Sequence, residues 1–505
     1  MDPESLDKDG DGDGDVSPGT ITNLGYEAVL HTRRSTPTLI FQSLAIAAPP
    51  FAIGTTLVNA SYGGGPLALF VGWLIVTVLA ECVAVSVAEL ASRYPTSAGP
   101  YYWSFQIATT GKAVVSYITG WIWVIGNWTT ALGVNFGFAQ LIAGAVTMYD
   151  SEWTATPWQL LLILWFILLV ILAICVFGHR YLHVIDTICA AWTALILIVF
   201  LIALLVTADN GRHGAQYAFS SFDSSISGWG NFSFFIGLLP AAYTFSTVGM
   251  LSSMAEETTE PAIAVPRAIS LAVPTLGLSG LLFIIPLCFT LPPLQILIAS
   301  PYGQPLPVLF KTVMGSNAGG LALLLLILIL TIFCSISVTT AASRCTWAFA
   351  RDKALPVSWL WYRVTPSKIP LNALLLVTGV QALLGLINLG STSAFTAFVS
   401  VGVMGVSVSY LIPVVISLVN RRAEVNRARF NCGHLVGTLV NTVAVAWILF
   451  QVVLFSMPVA VPTSQQGMNY ASVVLVGFGV IAAGWYAAHA RKSYKGPPES
   501  DGIGA

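Results

Sequence analysis

Apolar residues in this chain come in long runs separated by short polar connections. Windows of about 20 residues, the length that crosses a hydrocarbon core as a helix, pick out twelve such runs. They lie near 39–60, 66–91, 113–145, 158–177, 184–207, 232–256, 268–291, 318–349, 370–389, 393–419, 434–457 and 469–489. The fourth, WQLLLILWFILLVILAICVF, holds no charge, whereas the ninth and tenth are parted only by Gly390-Ser391-Thr392. The pattern predicts an all-α integral membrane protein with twelve transmembrane helices. Polar residues 1–38 and 490–505 read as tails, the first of them disordered.

Two of the runs are interrupted. The sixth meets Pro240, then Ala241, Ala242, Thr244, Ser246, Thr247 and Gly249, and leaves on Glu256-Glu257. The first carries Ala48-Pro49-Pro50-Phe51-Ala52 and then Gly54. Adjacent prolines remove two donors from the helical ladder. Lipid cannot satisfy the carbonyls so released, and each break must face protein or a water-filled cavity. Breaks five spans apart predict an inverted repeat, about 39–207 against about 232–419, with spans eleven and twelve, about 434–489, appended. A polar solute is expected between the broken helices, moved by alternating access.

Composition supports the membrane reading. Of 505 residues 56% are hydrophobic and 9% charged, against about 25% charged in a soluble domain. The net charge of -1 gives no hint of a nucleic-acid partner. Seven scattered cysteines show no CxxC pair or Cys/His spacing, so they read as small apolar residues and no metal is expected. The Asp-Gly alternation from Asp9 to Asp15 lacks the flanking helices of a calcium loop. No apolar signal core precedes the first span. With both ends in the cytoplasm, only Arg212 and Lys311 of the 21 basic residues fall outside, as the positive-inside rule requires.

Charges near span ends are the next candidates. Glu89 and Arg93 are spaced to pair on one helix face. Arg344 and Arg351 share a face with Asp352 behind them, and with Glu256 and Glu257 these charges form either a gate of ion pairs or anchors at the headgroups. Glu81 is the one carboxylate well inside a span, open to a proton-coupling role or to a plain hydrogen bond. Ser335, Ser337, Thr339 and Thr340 offer oxygens to sodium or join helices. No cofactor is expected, and proton coupling is preferred to sodium. The six histidines form no cluster with acids at a span mouth, which argues against a membrane enzyme.

Three motifs then stand in order: Ala88-Glu89-Leu90-Ala91-Ser92-Arg93-Tyr94-Pro95-Thr96-Ser97-Ala98-Gly99-Pro100-Tyr101-Tyr102-Trp103, Met254-Ala-Glu-Glu257 with Ala264-Val-Pro-Arg267-Ala-Ile, and Arg344-Cys-Thr-Trp347-Ala-Phe-Ala-Arg351-Asp352-Lys-Ala-Leu-Pro356. Together they resemble signatures of the amino acid–polyamine–organocation superfamily, especially its fungal amino acid/choline permease branch. Ala98 replaces the first glycine of one signature. The resemblance implies a LeuT-type fold whose unwound segments in spans one and six cradle the solute. It carries the solute site onto Ala48, Pro49, Pro50, Phe51, Ala52 and Gly54, with Tyr243 as aromatic gate and Phe245, Ser246 and Thr247 at the turn. Two prolines replace the glycine-rich segment by which many members bind a carboxylate. Aromatic attraction for an amine through Phe51, Tyr243 and Phe245 is then the alternative. The implied activity is secondary transport of a small zwitterion or cation: an amino acid, γ-aminobutyrate, choline or a polyamine. A nutrient sensor on the same scaffold is the second reading. A plasma-membrane address is preferred to a vacuolar one, and the oligomeric state is left open.

Overall fold

The computed structural model describes residues 19–503 except 28, 151, 207, 209–210, 391–393 and 464–467. The Asp9–Asp15 alternation lies outside the described residues. Twelve helices are long and apolar enough to cross a membrane: Thr36–Thr55, Pro66–Arg93, Lys112–Thr147, Pro157–Phe177, His179–Val206, Gly230–Glu257, Pro261–Thr290, Asn317–Arg351, Leu371–Leu389, Thr396–Val419, His434–Ser456 and Ala471–Ser493. They are numbered here as spans one to twelve. Among the described residues there is no β-strand, only an isolated bridge between Arg34 and Thr258.

The repeat is visible in which helices touch. Span two packs along span seven, three along eight, and four along nine. Each of these pairs joins equivalent members of the two five-helix sets, as in the LeuT-type fold. Spans three and ten make the closest approach, backbone against backbone. A Cβ on Gly126 would lie 2.5 Å from the Val406 nitrogen, and one on Gly402 would lie 3.0 Å from the Thr130 nitrogen. Only glycine permits that spacing. Span twelve, by contrast, leaves most of its surface outside the bundle.

Both predicted interruptions are present, the second as a turn at Gly237-Leu238 before Pro240 and a change of winding at Thr247. Span one breaks at Ala48, which turns left-handed (φ 37°, ψ 65°) between helices Thr36–Ala47 and Pro49–Thr55. The prolines have no N–H to return to the carbonyls of Ala45 and Ile46. The Ile46 carbonyl instead accepts the Cys334 thiol of span eight at 3.2 Å. In span six Pro240 lies in the first turn of the helix Leu239–Ser246, where its missing donor costs little. The change of geometry comes at Thr247, where eleven residues, Thr247–Glu257, wind as a 3₁₀ helix. Such runs seldom exceed about four residues. The hydroxyls of Ser252 and Ser253 bond back to the carbonyls of Gly249 and Met250 at 2.8 and 2.7 Å, helping to satisfy this tight segment.

The expectation of a disordered tail over 1–38 fails for the part described. Gly19–Asn23 is helical, and Ile21, Leu24, Tyr26 and Leu30 are buried. This segment carries apolar anchors that the polar average of the tail conceals. The Tyr102 hydroxyl donates to the Leu24 carbonyl at 2.8 Å. The C-terminal stretch joins it: Ser500 Oγ donates to the Asn23 carbonyl at 2.7 Å, and the Ile503 N–H to the Arg93 carbonyl at 3.0 Å. The described N- and C-terminal segments therefore cover one face of the bundle, called here the charged end.

Candidate transport site

At the charged end the 3₁₀ segment of span six delivers two carboxylates into a ring of arginines. Glu256 takes both arms of Arg351, at 2.9 and 3.0 Å. It also accepts the Thr96 hydroxyl at 3.1 Å and the Ser97 N–H at 3.2 Å, tying span eight to the turn after span two. Glu257 accepts Arg344 Nε at 2.6 Å and Arg34 Nε at 3.3 Å. Arg34 reaches on to Asp186 of span five at 2.8 Å, which also accepts the Ser337 hydroxyl at 2.7 Å. Burial alone would pull the Arg34 guanidinium down, but Asp186 and Glu257 hold it above its ordinary value. The Arg351 guanidinium lies 3.6 Å from the centre of the Tyr26 ring and 4.7 Å from that of Trp347. Asp352 accepts the hydroxyls of Tyr101 and Tyr26 at 2.7 and 2.9 Å. Burial pushes its carboxyl up, against the opposing pull of Arg351 and the two hydroxyls.

Glu89 and Arg93 do not pair with each other. Glu89 instead grips Arg422, from the connection between spans ten and eleven, at 2.8 and 3.0 Å, and accepts the Cys432 N–H at 2.8 Å. Arg93 turns to Glu424 at 3.1 Å and to the Asp501 carbonyl. A guanidinium arriving from across the bundle presents its planar fork to both carboxylate oxygens. Sequence spacing alone gave no sign of these partners, whose loop is distant in the chain.

The predicted solute residues lie at the junction of the broken helices, packed together. Ala48, Pro49, Pro50, Phe51, Ala52 and Gly54 are buried. Gly54 abuts Leu306, whose Cδ1 would stand 2.3 Å from an added Cβ, so it serves close packing. Tyr243 is buried, and Phe245 lies against Trp73 of span two, ring centres 4.8 Å apart. No ring–ring contact joins Phe51, Tyr243 and Phe245 among the described residues. Ser246 is half-buried and bonds back to the Tyr243 carbonyl at 2.8 Å, while Thr247 is buried where the 3₁₀ segment begins. Glu81 is half-buried on span two, and its Oε2 has no hydrogen-bond partner among the described residues. The hydroxyls of Ser335 and Thr339, one turn apart on span eight, are likewise buried and unpartnered there.

The open space lies on the other side of the break. A cavity of about 470 Å³ begins at Thr55 and Thr56 and extends past Gln140 and Leu239 to Tyr302, Asn388, Ser400 and Asn469. None of the described residues lining it is charged. The cavity stops at the end of the helix Pro49–Thr55, and neither the predicted residues at 48–54 nor Tyr243, Phe245, Ser246 and Thr247 line it. Its polar lining was missed in the sequence because single Thr, Gln and Asn residues near span ends carry no pattern.

This architecture defines a multi-pass membrane transporter of small solutes. The amino acid permease family model matches residues 35–479. The chain belongs to the amino acid permease family. It is 29% identical over 492 residues to a polyamine transporter of Saccharomyces cerevisiae, covering 95% of this chain and 79% of that protein. It is 30% identical over 494 residues to an amino-acid permease of Arabidopsis thaliana, covering 94% and 95%. A choline transporter of Saccharomyces cerevisiae is 28% identical over 455 residues, covering 89% and 80%.

Proposed function

We propose that the protein is a secondary permease for a small amine-bearing solute: an amino acid, γ-aminobutyrate, choline or a polyamine. The carrying observation is the uncharged cavity of about 470 Å³ that ends at the proline-broken segment of span one. Its described lining has no fixed cation to select a carboxylate, and Pro49 and Pro50 offer no N–H at the break. An amine meets hydroxyl and amide oxygens there without like-charge repulsion. The relatives described above are named as transporters or permeases, which supports flux rather than sensing. The charged end faces the cytoplasm in this reading, because basic residues favour that side, and the address is the plasma membrane. Glu256–Arg351 and Glu257–Arg344–Arg34 act as the inner gate, with Glu89–Arg422 and Arg93–Glu424 bracing it. Asp352 orients Tyr26 and Tyr101 beside it.

Coupling rests on two separate features, the unpartnered Glu81 carboxylate oxygen for protons and the Ser335 and Thr339 hydroxyls for sodium. The proton reading is preferred, because a carboxylate within a span is retained for function more often than hydroxyls are. Radiolabelled uptake into transporter-deficient yeast tests all of this, with a panel of amino acids, γ-aminobutyrate, choline and spermidine. Two pH values, with and without sodium, separate the ions. Expected are saturable uptake of at least one amine, stimulation at the lower pH, and loss of that stimulation in Glu81→Gln. Uptake of none of the panel by protein at the cell surface overturns the solute class. Stimulation that survives Glu81→Gln removes the proton role of that residue.

A further inference from the structure

A second concave site lies at the charged end, apart from the transport route. It is a cleft of about 430 Å³ between the N-terminal segment, the start of span five, span eight and the connection from span eight to span nine. Five cationic side chains line it: Arg33, Arg34, Arg180, Arg344 and Lys368. Glu257 is the one carboxylate among the described lining residues, and Arg34 and Arg344 already share it. Arg33, Arg180 and Lys368 have no carboxylate partner among the described residues. The Arg33 side chain donates to the Arg180 carbonyl at 3.3 Å, and its backbone N–H to the Glu257 carbonyl at 3.0 Å, which draws the two arginines to one wall of the cleft.

Convergence of this kind differs from the general excess of basic residues beside a membrane. Scattered cations on loops satisfy an orientation bias. Arg33, Arg180 and Lys368, exposed and from three separate segments, meet beside the already paired Arg34 and Arg344, a repulsion that water screens in part and an anion among them relieves. Arginine forks and a lysine are the side chains that recognise phosphate, the arginines in bidentate fashion. Basic hollows between membrane helices at this depth suit phosphorylated headgroups.

We propose that this cleft binds a polyvalent phosphate group, carried by a membrane lipid headgroup or by a free phosphate compound. The bound phosphate bridges Arg33 and Arg180 to Lys368 and so fastens the N-terminal segment to the start of span five and to the connection ahead of span nine. Arg34 already joins the same N-terminal segment to span five through Asp186 and, through Glu257 of span six, to Arg344 of span eight. Opening the charged end separates them and disperses the cations. The ligand therefore has higher affinity for the closed form and shifts the equilibrium towards it.

The test uses full-length protein in nanodiscs, with hydrogen–deuterium exchange read over residues 30–34 and 363–369. One arm adds phosphatidylinositol 4-phosphate to phosphatidylcholine. A second keeps pure phosphatidylcholine and adds soluble inositol hexakisphosphate, and a third adds phosphatidylglycerol. Protection is expected in the first or second arm and is expected to exceed that in the third. Protection by the lipid alone identifies a headgroup site, and by the soluble probe alone a free-phosphate site. Arg180→Gln with Lys368→Gln weakens the effect by roughly tenfold or more, since two charge-assisted contacts are lost. Arg180→Lys with Lys368→Arg retains most of it. Lys368→Gln alone, on an exposed loop residue, serves if the double variant is misfolded. Absence of protection in both phosphate arms overturns the site. So does an equal response to phosphatidylglycerol, or an undiminished response in a folded glutamine variant.

Discussion

The two ends of the route are closed and open by different physics. At the charged end Glu89, Arg422 and Glu256 carry formal charge yet have side chains at most 2% exposed, and each is held by a directed partner. At the opposite end the described cavity lining is made of hydroxyls, amides and apolar groups with no charge among them. Buried ion pairs act as a latch: intact they are satisfied, and half-broken they leave a stranded charge. A cavity of neutral polar groups changes shape at little cost, since each hydrogen bond exchanges with water for about 1 kcal/mol. Under the proposed gating role, the balance between conformations would be set mainly at the charged end.

The largest effect expected is at Glu89–Arg422. Arg422→Met strands a fully buried carboxylate and destabilises the fold by about 3–5 kcal/mol, whereas Glu89→Met with Arg422→Met restores most of the loss. Thermal unfolding in detergent of the two variants checks this, and an unstable double variant would mean that the pair matters for more than its own charges. Next comes Glu256→Gln, which leaves Arg351 facing a neutral amide and weakens the closed form by up to about 3 kcal/mol. Faster hydrogen exchange at residues 94–99 and 256–258, with the opposite end unchanged, is the expected readout. Unchanged exchange at both segments would remove the latch.

Gly54→Ala probes the other side of the comparison. Its methyl group meets Leu306 and costs about 1–3 kcal/mol through overpacking, and it is expected to alter solute affinity while leaving exchange at 94–99 unaffected. The smallest effect is one of pH. Burial raises the Asp352 carboxyl in the closed form, so that form binds the proton more tightly than an open, hydrated one. The closed form gains as pH falls through the raised value towards the ordinary carboxylate range near 3.9, and nothing is gained at pH above both. Exchange at residues 24–30 followed across that window measures it, and Asp352→Asn abolishes the dependence.

Much of this architecture was legible in the amino-acid order because lipid imposes simple rules. Span length, the double proline at Pro49-Pro50 and the sorting of Lys and Arg follow directly from the cost of wet backbone and charge in hydrocarbon. In span six Pro240 marks the restart of the helix after the turn at Gly237-Leu238, and the small and hydroxyl run that follows it covers Thr247, where the 3₁₀ segment begins. Partner choice was harder still. Glu89 and Arg93 have the spacing of a helical pair, yet Arg422 and Glu424 reach them from more than three hundred positions away. Local periodicity carries no information about which distant guanidinium arrives with the better geometry. The buried anchors at Leu24 and Tyr26 escaped notice for a related reason, being few among polar neighbours.

The glycine contact between spans three and ten has a mechanical consequence. Main chains that touch at Gly126 and Gly402 leave no lubricating layer of side chains between them. A side chain introduced on either face would prise the two helices apart, so the contact fixes their spacing. Widening that spacing by even one methyl group would therefore be felt along the whole length of both helices.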